Sequence, residues 1–132
     1  MFLQELNDIQ RKNFLELAVY GMKVNEELHE SQKNIINTFR LEMCIEDYVI
    51  KNKPIKDIIT EFQGSKKSIK KIVLIELFGV LLTDGAFDDK ESDLVNLCAK
   101  KWNFRDSEIK KMRRWVQDFN DLLVEGYEYI MK

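Results

Sequence analysis

Between Ile72 and Leu82 eleven consecutive residues carry a single charge, Glu76. A helix over this run is apolar on nearly every side, so it must lie at the centre of the molecule and pack on several faces. It is far short of the roughly 20 apolar residues that a membrane-crossing helix requires. Gly79 interrupts it at a cost of about 1 kcal/mol relative to Ala, which points to a close helix crossing there. Directly afterwards comes Thr83-Asp84-Gly85-Ala86-Phe87-Asp88-Asp89-Lys90-Glu91, and then a segment that is apolar at helical spacing through Ala99. A buried helix therefore stops, an acidic turn reverses the chain, and an amphipathic helix begins. Gly85 supplies a position able to adopt positive φ. Asp88 and Glu91, three apart, can form a capping box on the new helix.

The remaining chain reads as helices placed around that central one. Leu3, Leu6, Ile9, Phe14, Leu17 and Ala18 trace a stripe over a first helix that should end near Tyr20-Gly21. Asn25 suits the N-cap of a second, carrying Ile35, Ile36, Phe39, Met43 and Cys44 inward. Pro54 fits the first turn of a short helix from Ile55 to Phe62, and Ser65 can cap the central helix that follows. A fifth helix from about Asp89 to Lys101 is closed by Trp102-Asn103-Phe104. Asp106 or Ser107 then caps a long sixth helix expected to bury Ile109, Met112, Val116, Phe119, Leu122 and Leu123. No alternating strand pattern appears, and one Pro with five Gly leaves little turn chemistry. The fold class is all-α: a compact bundle of six to seven helices in one domain over residues 1–132. Phe78, Leu81, Leu94, Leu97 and Phe119 are its expected core.

At an offset of 64 residues, Phe14 matches Phe78, Leu17 matches Leu81, Gly21 matches Gly85 and Glu27 matches Glu91. Halves of about 1–64 and 65–132 would then each be helix, glycine turn, helix, an internal pseudo-duplication.

Several functions find no support in the residues. A net charge of −2 gives no case for nucleic acid. The basic runs Lys66-Lys67-Ser68-Ile69-Lys70-Lys71 and Lys110-Lys111-Met112-Arg113-Arg114 interleave with apolar positions and read as solvated helix faces. Only if they adjoined in space would an anionic partner or membrane surface follow. His29 is the one histidine, so a His-based zinc site is out of reach, and Cys44 and Cys98 lack metal-site spacing. No glycine-rich phosphate loop occurs. Glu5 and Asp8 stand where a secretory peptide would need positive charge, which predicts a cytoplasmic protein. Glu76 belongs either to a buried carboxylate or to the one exposed edge of its helix.

The acidic turn admits two readings. Gly85, Phe87 and Glu91 match the second half of a calcium-binding loop, but in that register the first ligand positions fall on Val80 and Leu82, which offer no side-chain oxygen. What remains is Asp84, Asp88, Asp89, Glu91 and Asp93. These carboxylates either hold a hard divalent cation (calcium, magnesium or manganese) with the help of water, or serve only as caps on the next helix.

The segment Leu82-Thr83-Asp84-Gly85-Ala86-Phe87-Asp88-Asp89-Lys90-Glu91 resembles the aspartate-glycine, apolar, glutamate signature of the TerB-like domains named for tellurite resistance. The similarity is strongest over about residues 69–119 and rests in the first half on helix pattern, Gly21 and Glu27. The resemblance implies a compact, pseudo-duplicated all-α fold without enzymatic activity, engaged in resistance to tellurite or other chemical stress. It also implies a cation role for Asp84 and Glu91 in the second half and Glu27 in the first, to which the acidic turn adds Asp88. Such a domain would act through that site or by docking to a protein partner; the alternative is a helical scaffold that binds a partner without metal, the acids serving only as caps. Tyr20 stands where the first half would repeat Asp84, so that half of the motif is incomplete, with Glu30 as a substitute.

Overall fold

The computed structural model describes residues 1–24, 30–82 and 89–132. After a 3₁₀ turn at Leu3–Glu5 come α1 (Asp8–Lys23), α2 (Glu30–Glu42), α3 (Ile55–Gln63), α4 (Lys67–Leu81), α5 (Asp89–Lys101) and α6 (Asp106–Met131). Among the described residues there is no strand. The all-α expectation holds, with six α-helices among the described residues.

Two helices share the centre. As the apolar run requires, α4 buries Val73, Leu74, Leu77, Phe78, Val80 and Leu81, and it packs on α1 and α6. Equally enclosed is α1, which packs on α2, α3 and α4 and buries every residue from Asn13 to Val19. The sequence pattern marked α1 as a one-sided stripe. Instead Leu15 and Val19 are also buried, while Ile9, placed on the stripe, is 64% exposed. Two polar residues of α1, Asn13 and Glu16, are themselves only 2% exposed.

The two central helices meet at Gly21. This residue is not the turn that the sequence suggested, because α1 continues to Lys23. A Cβ there would lie 3.2 Å from Leu81 Cδ2, 3.4 Å from Leu94 Cδ2 and 3.5 Å from Leu77 Cδ1. Gly79, expected at a close crossing, has nothing among the described residues within 4 Å of the same position. The close approach is real, but it belongs to the other glycine.

Helix ends follow local chemistry. Asn7 and Gln10 form a capping box on α1, each side chain accepting from the other's backbone N–H at 2.9 Å. Pro54 is the residue before α3 rather than within its first turn. Ser65 does not cap α4; Lys66 precedes the helix, and Ser65 Oγ accepts from Gln10 Nε2 at 3.4 Å. Nor do Asp106 or Ser107 cap α6, which starts at Asp106 with Glu108 Oε1 accepting from Arg105 N–H at 3.1 Å. The C-termini of α2 and α5 close alike. Cys44 (φ 57°) and Asn103 (φ 60°) adopt left-handed conformations, and Ile45 and Phe104 donate back to the carbonyls of Arg40 and Ala99. Cys44 is thus an exposed cap and not a core position. The N-cap expected at Asn25 lies outside the described residues.

Of the expected core, Phe78, Leu81 and Leu94 are buried. Leu97 is 38% exposed and Phe119 half-buried, whereas Leu122 and Leu123 on α6 are 66% and 49% exposed. The reason is length. At 26 residues α6 spans about 39 Å, while the 15-residue α4 beneath it spans about 22 Å. Only the first half of α6 has a body to pack on.

Candidate functional site

Of the four carboxylates marked for a cation, Asp84, Asp88 and Glu27 lie outside the described residues, as does His29. Glu91 is described: it stands half-buried in the first turn of α5, with Asp89 exposed beside it. Acids in that turn complement the helix dipole. Glu30, the suggested substitute in the first half, opens α2 and pairs with Lys33 at 3.7 Å. Among the described residues no group of three or more His, Cys, Asp or Glu converges as a metal-holding set.

Two side chains with chemical potential are committed to structure. The buried Glu16 carboxylate accepts from the Tyr48 hydroxyl at 2.5 Å and from the backbone N–H groups of Lys51 and Lys53 at 2.8 and 3.1 Å. Burial by itself would raise its pKa. The three donors and the nearby Lys53 charge outweigh burial and hold it below the usual carboxylate range. Burial and the adjoining carboxylate push the Tyr48 phenol upward. Lys53 Nζ also donates to Asn13 Oδ1 at 2.9 Å. The pair Asn13–Glu16 thereby fastens the segment 45–54 onto α1. Cys98 is fully buried, and burial pushes its thiol up to about 12, so it is not an activated nucleophile.

The basic runs are partly spent inside the molecule. Lys67 Nζ lies 3.5 Å from Glu108 and 4.7 Å from the centre of the Phe104 ring, and Lys70 Nζ donates to Gln63 O at 2.9 Å.

A different face is open. Between α2, α4 and α6 lies a cleft of about 380 Å³ walled by Ile35, Phe39, Ile75, Gly79, Trp115 and Phe119. Its rim is organised by Glu76, the one charged side chain of the apolar run. Glu76 Oε1 accepts from Phe2 N–H at 2.8 Å and lies 3.1 Å from the Met1 amine, which also contacts Glu42 at 3.0 Å. Partial burial opposes the charge on that amine, but its hydrogen bonds to the two carboxylates and their negative charge more than offset it and its pKa is raised. Both sequence readings of Glu76 therefore meet: its side chain is only 11% exposed, at the edge of the helix. Phe2 is brought over Trp115 (6.1 Å between ring centres), which stacks on Phe119 at 5.6 Å and 18°.

From this cleft an apolar stripe continues along α6. Met112, Val116, Phe119, Leu123, Tyr127 and Ile130 recur at three- and four-residue steps on one side of the helix, with Leu122 alongside. Past Asn120 the stripe is exposed: Leu123 is 49%, Tyr127 61% and Ile130 78% exposed. Sequence reasoning found the stripe but not the cleft, since nothing in periodicity tells where a helix outruns its support. A hint lay in the lengths, because the last apolar period is far longer than the others. The chain matches no family model, no curated protein and no solved structure.

Proposed function

We propose that this chain is a non-catalytic helical docking domain that holds a protein partner along the α2–α4–α6 cleft and the exposed stripe of α6. The observation that carries the reading is continuity. An apolar cleft with a half-buried carboxylate at its rim opens directly onto a row of exposed Leu, Tyr and Ile side chains. Monomeric proteins seldom leave a contiguous apolar patch above roughly 300–600 Å² in water, and larger ones mark interaction sites. A photoactivatable amino acid placed at Leu123 in the protein's native cells is expected to give a discrete protein adduct. The same probe at Thr60, exposed on α3 away from the cleft, is expected to give none. A smear at both positions, or no adduct at Leu123, would refute docking at this surface.

The resemblance to TerB-like domains adds a setting, resistance to tellurite or other chemical stress, and a second route of action: a weak divalent-cation site at Asp84, Asp88 and Glu91, joined by Glu27. Acids gathered at the start of α5 support that reading and support capping equally. Thermal melting separates them. With a cation site, calcium, magnesium or manganese raises the melting temperature by mass action, and Asp84→Asn and Glu91→Gln each abolish the rise while leaving metal-free stability near normal. With caps alone, Asp88→Ala lowers stability by about 1 kcal/mol, and millimolar metal changes nothing.

A further inference from the structure

We propose that a second cavity, between α1, α2 and the segment 50–52, binds a small organic phosphate. The ligand is a phosphomonoester whose doubly charged head meets a basic rim and whose carbon skeleton lies on an apolar floor. The cavity measures about 310 Å³ and shares no lining residue with the docking cleft, so the inference stands independently of the docking reading.

The first observation is charge. Lys23 of α1 and Lys33 and Arg40 of α2 line this cavity, and among the described residues no carboxylate does. In a chain of net charge −2 that is a local reversal. Lys23 and Arg40 stand in the last turns of their helices, where they complement the dipoles. The dipole does not account for Lys33, which joins them from the N-terminal end of α2, where it disfavours a base. Nor is any of the three neutralised in a buried ion pair. Lys33 meets Glu30 at 3.7 Å in an exposed contact that water screens, and the other two donate to carboxamides. Arg40 is half-buried, and its Nε–H is enclosed with no acceptor among the described residues. Its charge is thus held where water compensates it poorly.

The second observation is the direction of the hydrogen bonds. Lys23 Nζ donates to Asn52 Oδ1 at 3.0 Å, and Arg40 Nη1 donates to Asn37 Oδ1 at 2.8 Å. A cation can meet only the oxygen end of a carboxamide, so both amides are oriented and their Nδ2 groups remain as donors. Every polar side chain among the described residues of the lining therefore offers N–H groups. Such a wall suits a group that only accepts, and the phosphate dianion presents three strong acceptor oxygens and no donor.

The third observation is shape. Val19 and Ile36, both buried, and the half-buried Ile50 give the cavity an apolar floor. Its volume lies at the small end of the roughly 300–1,000 Å³ of ligand pockets, which fits a phosphate carried on a single ring or a short chain.

The test is calorimetric titration of the full chain at constant ionic strength, with phenyl phosphate as the probe. Saturable binding at one site is expected, with a Kd of about 1 mM or tighter. Inorganic phosphate, which lacks the ring, and benzoate, which has the ring but one charge, are each expected to bind about 10-fold more weakly. Lys23→Gln and Arg40→Gln are each expected to weaken phenyl phosphate by about 10-fold or more, while Lys56→Gln, exposed on α3, leaves it unchanged. The side-chain Nδ2 resonances of Asn37 and Asn52 should shift on titration. Lys23 is exposed, so Lys23→Gln and those resonances carry the test even if Arg40→Gln does not fold. No saturation by about 20 mM phenyl phosphate, or binding that survives Lys23→Gln undiminished, overturns the site. Inorganic phosphate binding as tightly as the ester overturns the organic ligand, and benzoate binding as tightly overturns the phosphoryl head.

Discussion

Glu16 keeps its charge at a site that water hardly reaches, and the arrangement that permits it consists almost wholly of donors from one short segment. Replacing it with Gln leaves at least one of the Lys51 and Lys53 N–H groups without an acceptor, since an amide nitrogen cannot take their place. Glu16→Gln is therefore expected to destabilise the fold by about 1–3 kcal/mol at neutral pH, measured by denaturant unfolding. The pH dependence has a definite sign. The folded-state pKa of Glu16 is depressed below the ordinary 4.5, so its contribution is fully present above that value and is lost as pH falls through the lower folded value. The gap between wild type and Glu16→Gln should accordingly be widest near pH 7 and narrow towards pH 3. A gap that widens in acid would show that the carboxylate is not held by these donors. None of this was legible in the sequence. Periodicity treats a polar residue as exposed, and only the returning segment 45–54 covers Glu16 and Asn13.

At the scale of single helices, the two glycines exchange the roles that their contexts suggest. Gly79 stands in the most apolar helix yet faces the open cleft, whereas Gly21, read from the sequence as a helix end, lies where α1 crosses α4 and α5. Gly79→Ala should raise stability by about 1 kcal/mol, since only helix propensity is at stake. Gly21→Val should lower it by about 1–3 kcal/mol, since a branched side chain must displace Leu77, Leu81 or Leu94. Thermal unfolding of the two variants checks the assignment, and a stabilising Gly21→Val would move the crossing elsewhere. The helices themselves were well marked. α5 runs from Asp89 to Lys101 as its pattern indicates, and the Trp102-Asn103-Phe104 stop is a left-handed cap at Asn103.

For the whole molecule, composition and periodicity sufficed to reach six helices, because each buries an apolar face of its own. They did not reach the ends of those faces. α6 has one stripe with one period, half of it core and half of it surface, and what divides the halves is where α4 and α2 stop beneath it. The acidic turn shows the reverse limit. Its residues were singled out by type and spacing, and Asp84 and Asp88 fall outside the described residues, so the geometry of the candidate site adds only the position of Glu91.

The two tryptophans divide the molecule in a way that light can read. Trp102 is 2% exposed, edge-on to Phe62 at 5.7 Å, and its indole N–H donates to Ile59 O at 3.2 Å. Trp115 is 44% exposed at the mouth of the cleft, stacked on Phe119. One chromophore sits in a dry, hydrogen-bonded interior and the other in partial water, so their emissions separate in colour and in accessibility to a dissolved quencher. The inner indole reports whether the bundle is folded, and the outer one reports whether the cleft is occupied. Both signals come from the unlabelled protein.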